Sequence, residues 1–257
     1  MPKIIEKILE LDSMKNYPQE LNFCGNLNLL KRKKISIIGS RKPTKYSREM
    51  TQSLSLSLSK VGVCVVSGGA MGIDAIAHKG AMAANTIAVL PCGINVRYPA
   101  VNKNLLYEIE KEGLLLSQFE DDAKARPYTF VLRNELVVAL GDVLVVGEAE
   151  LDSGSMRSIE FALKMKKDIY VFPQRFGESR ATNELLKKGL ARAIYDIDEF
   201  VEEFSGRTLS SMQGDDFIEY CKNNPTYEEA LQKYPSRIFE AELSGEIEIR
   251  NAVVYLM

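Results

Sequence analysis

Short apolar runs alternate along this chain with longer stretches in which apolar residues recur every three or four positions. The runs predict six buried strands, at Ile35 to Ile38, Val61 to Val66, Thr86 to Leu90, Leu114 to Leu116, Val143 to Val146 and Ile169 to Phe172. The stretches between them predict helices, at Glu49 to Lys60, Ala75 to Ala84, Leu105 to Lys111, Phe130 to Leu140, Met156 to Lys166 and Asn183 to Leu190. Strands that alternate with helices are typical of an α/β fold with a mainly parallel sheet covered by helices on both faces.

The remaining segments predict the division of the chain into domains. Residues 1–30 show short helical patterns, and residues 31–204 hold the strand and helix alternation, with a closing helix at Asp196 to Phe204. Residues 205–214 (SGRTLSSMQG) are polar, contain two glycines and predict a linker. Residues 215–257 predict a small separate unit that ends in a β-hairpin over Gly245 to Leu256, where apolar and polar residues alternate around a turn.

Two of the predicted strands end in segments suited to anions. Val61 to Val66 is followed by Ser67-Gly68-Gly69-Ala70-Met71-Gly72-Ile73-Asp74 and then by a helix, and Ile35 to Ile38 is followed by Gly39-Ser40-Arg41. Glycine allows the backbone to approach a phosphate closely, and the free N–H groups of a helix's first turn point towards it. Since the carboxyl ends of parallel strands meet at one edge of the sheet, we predict a phosphate-binding surface there.

Composition and charge narrow the class of protein. No apolar run in the 257 residues approaches the length of a membrane span, and the first 16 residues lack a signal peptide's apolar stretch. The four scattered cysteines predict reduced structural thiols in a cytoplasmic protein rather than disulfides or a zinc site.

The net charge of −2 is unevenly distributed along the chain. Residues 31–48 hold eight Lys or Arg and no acid, whereas residues 211–257 carry −5, so the first 210 residues carry +3. We expect the basic charges to gather at the edge that is suited to anions, which favours a polyanionic partner.

A set of collinear motifs resembles the DNA processing protein A (DprA/Smf) family of bacterial natural transformation. The motifs span roughly residues 34 to 195 and are Gly39-Ser40-Arg41, Ser67 to Asp74 with His78, Thr86 to Gly93, Tyr98-Pro99 with Asn102, Leu114 to Ser117, Phe130 with Arg133-Asn134, Val143 to Ala149, Ser153-Gly154-Ser155, Thr182-Asn183 and Gly189. The resemblance implies an extended Rossmann-like fold that binds single-stranded DNA, forms a homodimer and hands the DNA to the RecA recombinase. From the residues themselves we predict neither a cofactor nor a metal site.

The chain also departs from that family's pattern. Glu135 replaces the last residue of an Arg-Asn-Arg motif, Gln174 replaces the glycine of Pro-Gly, and Ala181 replaces the glycine before Thr-Asn. We expect Glu135 to remove one positive charge near the groove and thereby to alter affinity or groove shape. The C-terminal unit resembles the family's small winged-helix-like domain only loosely, and its acidity favours contact with a protein over contact with DNA.

The chemistry of single-stranded DNA binding requires cations along the backbone and flat side chains for bases. We predict a forked contact from Arg41 to phosphate, flanking cations at Lys42, Lys124, Arg126 and Arg133, and stacking at Tyr98, Tyr128 and Phe130. Asp74 is expected to cap its own helix, and His78 to pack or hydrogen-bond rather than to act as a base. The full set of predicted DNA-binding residues is Gly39, Ser40, Arg41, Lys42, Ser67, Gly68, Gly69, Ala70, Gly72, Tyr98, Lys124, Arg126, Phe130, Arg133 and Asn134.

Three other classes of function stay open at this point. A nucleoside-monophosphate phosphoribohydrolase of the lysine-decarboxylase-like (LOG) group would carry P-G-G-x-G-T-x-x-E, which Pro91 to Val96 does not fit. A dinucleotide-dependent oxidoreductase would carry G-x-G-x-x-G, and the spacing of Gly68, Gly69 and Gly72 differs from it. A pure interaction scaffold would dimerise without binding DNA. We predict a non-catalytic DNA-binding protein.

Overall fold

The computed structural model describes residues 2–4, 6–15, 17–208 and 216–256. The chain divides into two compact units, Met1–Gly206 and Arg207–Met257. Of the predicted linker, Ser205 is the last residue of a helix, and residues 209–214 lie outside the described residues.

An eight-stranded sheet forms the centre of the first unit. Its strands are β1 (Asn22–Gly25), β2 (Lys34–Ile38), β3 (Cys64–Ser67), β4 (Thr86–Val89), β5 (Leu114–Ser117), β6 (Val143–Val146), β7 (Ile169–Val171) and β8 (Arg192–Ala193). Their order across the sheet is β1-β5-β4-β3-β2-β6-β7-β8. All neighbours pair in parallel except β1 with β5, so the carboxyl ends of β2 to β8 lie at one edge.

Helices pack on both faces of this sheet. They are α1 (Lys45–Lys60), α2 (Ile73–Ala81), α3 (Lys103–Glu112), α4 (Pro127–Leu140), α5 (Ser155–Lys164), α6 (Arg180–Lys187) and α7 (Ile197–Ser205). In β4, Ile87 and Val89 belong to the core cluster formed with α4 and α5, whereas Ala88 belongs to the cluster formed with α3. The period of two along a strand thus places successive side chains against opposite helical layers. The predicted α/β fold is confirmed.

The six predicted strands are present, and two further strands were missed by the pattern. The strand predicted at Val61 begins only at Cys64, because Val61 ends α1 and Gly62 has a positive φ of 77° that turns the chain. Strand β1 is a short antiparallel edge strand with the sequence NFCG, and β8 has only two residues. Neither segment is long enough to show the periodicity that identifies a strand.

The basic segment 31–48 does not gather its charges at one edge, which corrects the expectation from sequence. Strand β2 separates Lys31 to Lys34, at its amino end, from Arg41 to Arg48, beyond its carboxyl end. Lys34 is buried, with its Nζ donating to Glu10 Oε1 at 2.6 Å and to the carbonyl of Leu30 at 2.8 Å. Only the second half of the segment is therefore placed to meet a polyanion at the carboxyl edge.

The second unit consists of three helices followed by a hairpin. These are α8 (Asp216–Cys221), α9 (Tyr227–Lys233), α10 (Arg237–Ser244), β9 (Ile247–Arg250) and β10 (Val253–Leu256). Phe217, Ile238 and Val254 belong to its separate core. The predicted hairpin is confirmed: β9 and β10 pair antiparallel around Asn251 and Ala252, whose positive φ values of 51° and 60° suit a tight two-residue turn.

Among the described residues, no helix combines the length and the apolar character needed to cross a membrane.

Candidate nucleic-acid interface

A cleft of about 580 Å³ lies at the carboxyl edge of the sheet, and we call it the central cleft. The lining residues come from the segments after β2 and β3, from α4, from the segment after β6 and from the start of α5. Its lining includes Gly39, Ser40, Arg41, Ala70, Asp74, Phe130, Arg133, Asn134, Glu150, Ser153, Gly154, Ser155, Arg157 and Ser158. Seven of the predicted DNA-binding residues therefore line one surface.

The segments that follow β2 and β3 are in direct contact, and glycine at position 72 allows this. The N–H of Ile73 donates to the carbonyl of Ser40 at 3.1 Å, and Gly72 has a φ of 78°. A Cβ on Gly72 would lie 2.2 Å from the Ser40 oxygen and 2.7 Å from the Arg41 Cα. The close approach positions Arg41 relative to the glycine-rich loop, so Gly72 acts here through backbone geometry.

The N–H groups of the glycine-rich loop point into the protein. Those of Gly68 and Ala70 donate to Asp74 Oδ2 at 3.2 and 3.4 Å, and that of Gly69 donates to His78 Nε2 at 3.2 Å. These three groups, which the sequence predicts to cradle phosphate, are satisfied by internal acceptors. Ser67 is likewise fully buried, with its hydroxyl donating to the Ile37 carbonyl at 2.6 Å.

Asp74 lies in the first turn of α2, as expected, and its carboxylate accepts hydrogen bonds from the loop that precedes the helix. Gly72 is the N-cap of α2 and has no side-chain cap. Burial raises the pKa of the Asp74 carboxyl, and the Arg133 guanidinium, 3.9 Å away, opposes that rise. Asp74 thus fastens the loop rather than the helix end.

Arg133 and Asn102 hold the carbonyls of the same loop. Arg133 is only 4% exposed, and its Nη1 donates to the Gly68 carbonyl and, at 3.3 Å, to that of Val89. Asn102 Nδ2 donates to the carbonyls of Gly69 and Ala70 at 2.9 and 3.0 Å. Arg133 is therefore a buried support of the loop rather than an exposed cation, and Asn102 is a supporting residue that sequence reasoning quoted but gave no role.

His78 is buried and neutral in this arrangement, as expected for a hydrogen-bonding residue. The Thr86 hydroxyl donates to the Val65 carbonyl at 2.7 Å, so it accepts from His78 Nδ1 at 2.6 Å. This network assigns the proton to Nδ1 and leaves Nε2 free to accept from Gly69. Burial lowers the pKa of His78 to about 3, with the charge of Arg133 contributing in the same direction.

We predict a pH dependence of stability from His78. Because its pKa is about 3 when folded and about 6.5 when unfolded, the unfolded chain binds more protons below pH 6.5, and stability falls as the pH drops. His78 should account for about 2 kcal/mol of lost unfolding free energy between pH 7 and pH 5. Urea unfolding at both pH values should show a correspondingly smaller loss in His78→Gln. An equal loss in both proteins would contradict the assignment of a neutral imidazole.

Arg41, Phe130 and Tyr98 form a cluster at the central cleft, in which Arg41 and Tyr98 are exposed and Phe130 is half-buried. The Arg41 guanidinium carbon lies 5.5 Å from the centre of the Phe130 ring. The Tyr98 ring meets Phe130 edge to face, with ring centres 5.8 Å apart, and Tyr98 is 42% exposed. A cation held against an aromatic ring loses part of its conformational freedom, so both groups are positioned before a ligand arrives.

Five of the other predicted residues do not line the central cleft: Lys42, Gly72, Lys124, Arg126 and Tyr128. Lys42 and Gly72 line a neighbouring depression with Arg48 and Lys79. Lys124 and Arg126 are exposed just before α4 but line neither the central cleft nor that depression, and Tyr128 is 60% exposed.

The expectation for Glu135 is corrected by its position. It is 8% exposed, and its Oε1 accepts from the backbone N–H of Lys15 at 3.0 Å. Glu135 does not line the central cleft. Its carboxylate therefore holds the N-terminal segment through Lys15 and does not alter the groove.

The family model described as DNA recombination-mediator protein A matches residues 4–205. The chain is 31% identical over 199 residues to DNA processing protein DprA of Streptococcus pneumoniae, covering 76% of this chain and 70% of that protein. It is 36% identical over 141 residues to Protein Smf of Synechocystis. That match covers 54% of this chain and 35% of the relative's length.

Two solved structures share the fold of the first unit. DNA processing protein A of Helicobacter pylori, whose structure is described for its single-stranded DNA binding mode, has 40% sequence identity and a TM-score of 0.77. The alignment covers 79% of this chain and 94% of that one. DprA of Streptococcus pneumoniae has 30% identity and a TM-score of 0.73, with 79% of this chain and 74% of that one covered. The chain therefore belongs to the DNA recombination-mediator protein A (DprA/Smf) family.

Proposed function

We propose that this protein binds single-stranded DNA at the central cleft without altering it chemically. The observation that carries the proposal is the cluster at the carboxyl edge of the sheet, where Arg41 lies against Phe130 with Tyr98 at the ring edge. Single strands are bound by cations that contact phosphates and by aromatic rings on which bases stack. The DNA-binding mode described for the Helicobacter pylori relative supports the same ligand class.

The acidic groups of the cleft support a binding role over a catalytic one. Asp74 is committed to the loop and to Arg133, and Glu150 pairs with Arg180 at 2.7 Å. A phosphoribohydrolase would need a carboxylate free to act on a nucleotide. Incubation with AMP followed by detection of free adenine tests that alternative, and we expect no adenine.

A gel-shift comparison tests the proposal itself. Oligo-dT and a duplex of equal length are titrated with the protein at two salt concentrations. We expect tighter binding to oligo-dT at both, because a cluster with aromatic rings at its edge needs unpaired bases. Equal affinity for both forms would overturn the preference for single strands.

We expect Arg41 to contribute one phosphate contact to the affinity for single-stranded DNA. Loss of one phosphate contact changes the dependence of log affinity on log salt by about 0.7 for a single strand. Arg41→Ala should flatten the slope by that amount in fluorescence titrations with oligo-dT. Arg192→Ala, which removes an exposed arginine on β8 that lines none of the clefts above, is the matched control and should leave the slope unchanged. An unchanged slope and affinity in Arg41→Ala would remove Arg41 from the site.

We further propose that the protein acts as a homodimer in natural transformation, where it protects incoming DNA and loads RecA onto it. Its membership of a recombination-mediator family supports this role. A protein that passes DNA to a recombinase works in the cytoplasm, which is the location we propose. Strand exchange by RecA on DNA precoated with single-strand-binding protein tests the loading step, and we expect this protein to accelerate it.

A further inference from the structure

We propose that the N-terminus of α5 holds one backbone phosphate of the bound DNA, through main-chain amides and the hydroxyls of two serines that line the central cleft. This inference rests on the proposed function and assigns a phosphate subsite within it. The glycine-rich loop, which is the obvious candidate for that task, has the amides of Gly68, Gly69 and Ala70 occupied by Asp74 and His78. We therefore assign the phosphate subsite to the segment after β6. In the sheet, β6 lies two strands away from β3, which the glycine-rich loop follows.

The start of α5 presents unused N–H groups. The helix is ten residues long, with Gly154 as its N-cap and no side-chain cap. The N–H groups of Met156 and Arg157 donate to the carbonyls of Ser153 and Gly154, at 3.1 and 3.2 Å. Those of Gly154 and Ser155 donate to no described residue. Two free amides at the positive end of a helix attract an anion.

Two serine hydroxyls at the same place also lack partners. Ser155 is 9% exposed and Ser158 is 2% exposed, and both line the central cleft. By contrast, the hydroxyl of Ser153, one residue before the N-cap, donates to the Glu150 carbonyl at 2.6 Å. Neither the Ser155 nor the Ser158 hydroxyl bonds to any residue in the described part of the chain. Since both residues line the cleft, the two hydroxyls are available to form hydrogen bonds with a ligand oxygen there.

The charges around the subsite suit an anion. Arg157 lines the cleft and is 63% exposed in its side chain, where it pairs with Glu160 at 2.9 Å. Surface pairs of this kind are weak, so the guanidinium is able to exchange Glu160 for a phosphate. Glu150 lines the same cleft and is engaged by Arg180 at 2.7 Å, and Arg41 also lines the cleft. A strand bound in the cleft thus meets two arginines of its lining, Arg41 and Arg157.

Ser155→Asp is the substitution that separates this role from a structural one. Ser155 is the first residue of α5, where a carboxylate is stabilised by the helix dipole, so the variant should unfold at the same temperature as the native protein or higher. The carboxylate occupies the phosphate position and repels the DNA backbone. We expect affinity for oligo-dT, measured by fluorescence anisotropy, to fall by at least about tenfold, which corresponds to loss of hydrogen bonds to one charged group.

Ser53→Asp is the matched control, because it makes the same change in charge at an exposed position of α1 that lines none of the clefts. It should change affinity by less than about twofold. If Ser155→Asp does not fold, the double variant Ser155→Ala with Ser158→Ala removes the hydroxyls without adding charge and should also weaken binding. Affinities equal to that of Ser53→Asp in whichever of these variants folds would overturn the subsite.

The same titrations distinguish failure of the subsite from failure of the proposed function. If native protein binds oligo-dT and Arg41→Ala weakens it while the α5 variants do not, only the phosphate subsite is wrong. If native protein does not bind oligo-dT, the proposed function is wrong and the subsite falls with it.

Discussion

Asp74→Ala is expected to lower the free energy of unfolding of the first unit by about 3–5 kcal/mol, because it leaves the Arg133 guanidinium buried without a counter-charge. Arg133 and Asp74 are 3.9 Å apart, and their side chains are 5% and 9% exposed. The same substitution removes the acceptor for the N–H groups of Gly68 and Ala70. Loss of the pair therefore also releases the loop that contacts Ser40, and DNA affinity should fall with stability.

Urea unfolding of four proteins measures this effect: the native protein, Asp74→Ala, Arg133→Met and the double variant. Removing both partners avoids the unpaired charge, so the double variant should be more stable than Asp74→Ala alone. Its DNA affinity should stay low, because the loop is still unfastened. Additive losses of stability in the double variant would show that Asp74 and Arg133 do not stabilise the fold as a pair.

Gly72→Ala is expected to lower the free energy of unfolding by about 4 kcal/mol or more. The residue has φ 78° and ψ −129°, a conformation that side chains other than hydrogen rarely adopt. Its added Cβ would also lie 2.2 Å from the Ser40 carbonyl oxygen, and backbone cannot move aside as a flexible side chain can. The segment that carries Arg41 has to shift, so affinity for oligo-dT should fall even where the protein remains folded.

Gly189→Ala separates the two causes of that effect. Gly189 also has a positive φ, 65°, but nothing lies within 4 Å of a Cβ added there. It should cost only the conformational strain, about 1 kcal/mol, and leave DNA binding intact. Thermal unfolding of both variants together with anisotropy measurements checks this. Equal losses of stability in the two would mean that the contact between Gly72 and Ser40 is not tight.

The periodicity of apolar residues predicts most of the sheet because buried parallel strands are continuous apolar runs. It fails at Asn22–Gly25, a short edge strand that is held by its pairing with β5 rather than by its own pattern. The count of charges along the sequence also failed to predict where the basic residues lie in space. Strand β2 separates Lys34, at its amino end, from Arg41, beyond its carboxyl end, and a count of charges does not show this separation.

The site was only partly predictable for a related reason. Residue types alone predict that Arg41 and Phe130 contact DNA. The contact between these two side chains requires the segment after β2 to meet α4 in space, which the sequence does not show. Sequence shows that Gly68, Gly69 and Ala70 form a tight turn but not the direction in which their N–H groups point. That direction depends on Asp74 and His78, whose side chains occupy the inner side of the turn.

The measurement that tests the central claim most directly is the structure of this protein with a short oligo-dT bound. We expect the strand to cross the central cleft, with a base against the Tyr98 and Phe130 cluster, a phosphate at Arg41 and another at the start of α5. A strand bound at any other surface, with the central cleft empty, would contradict the account.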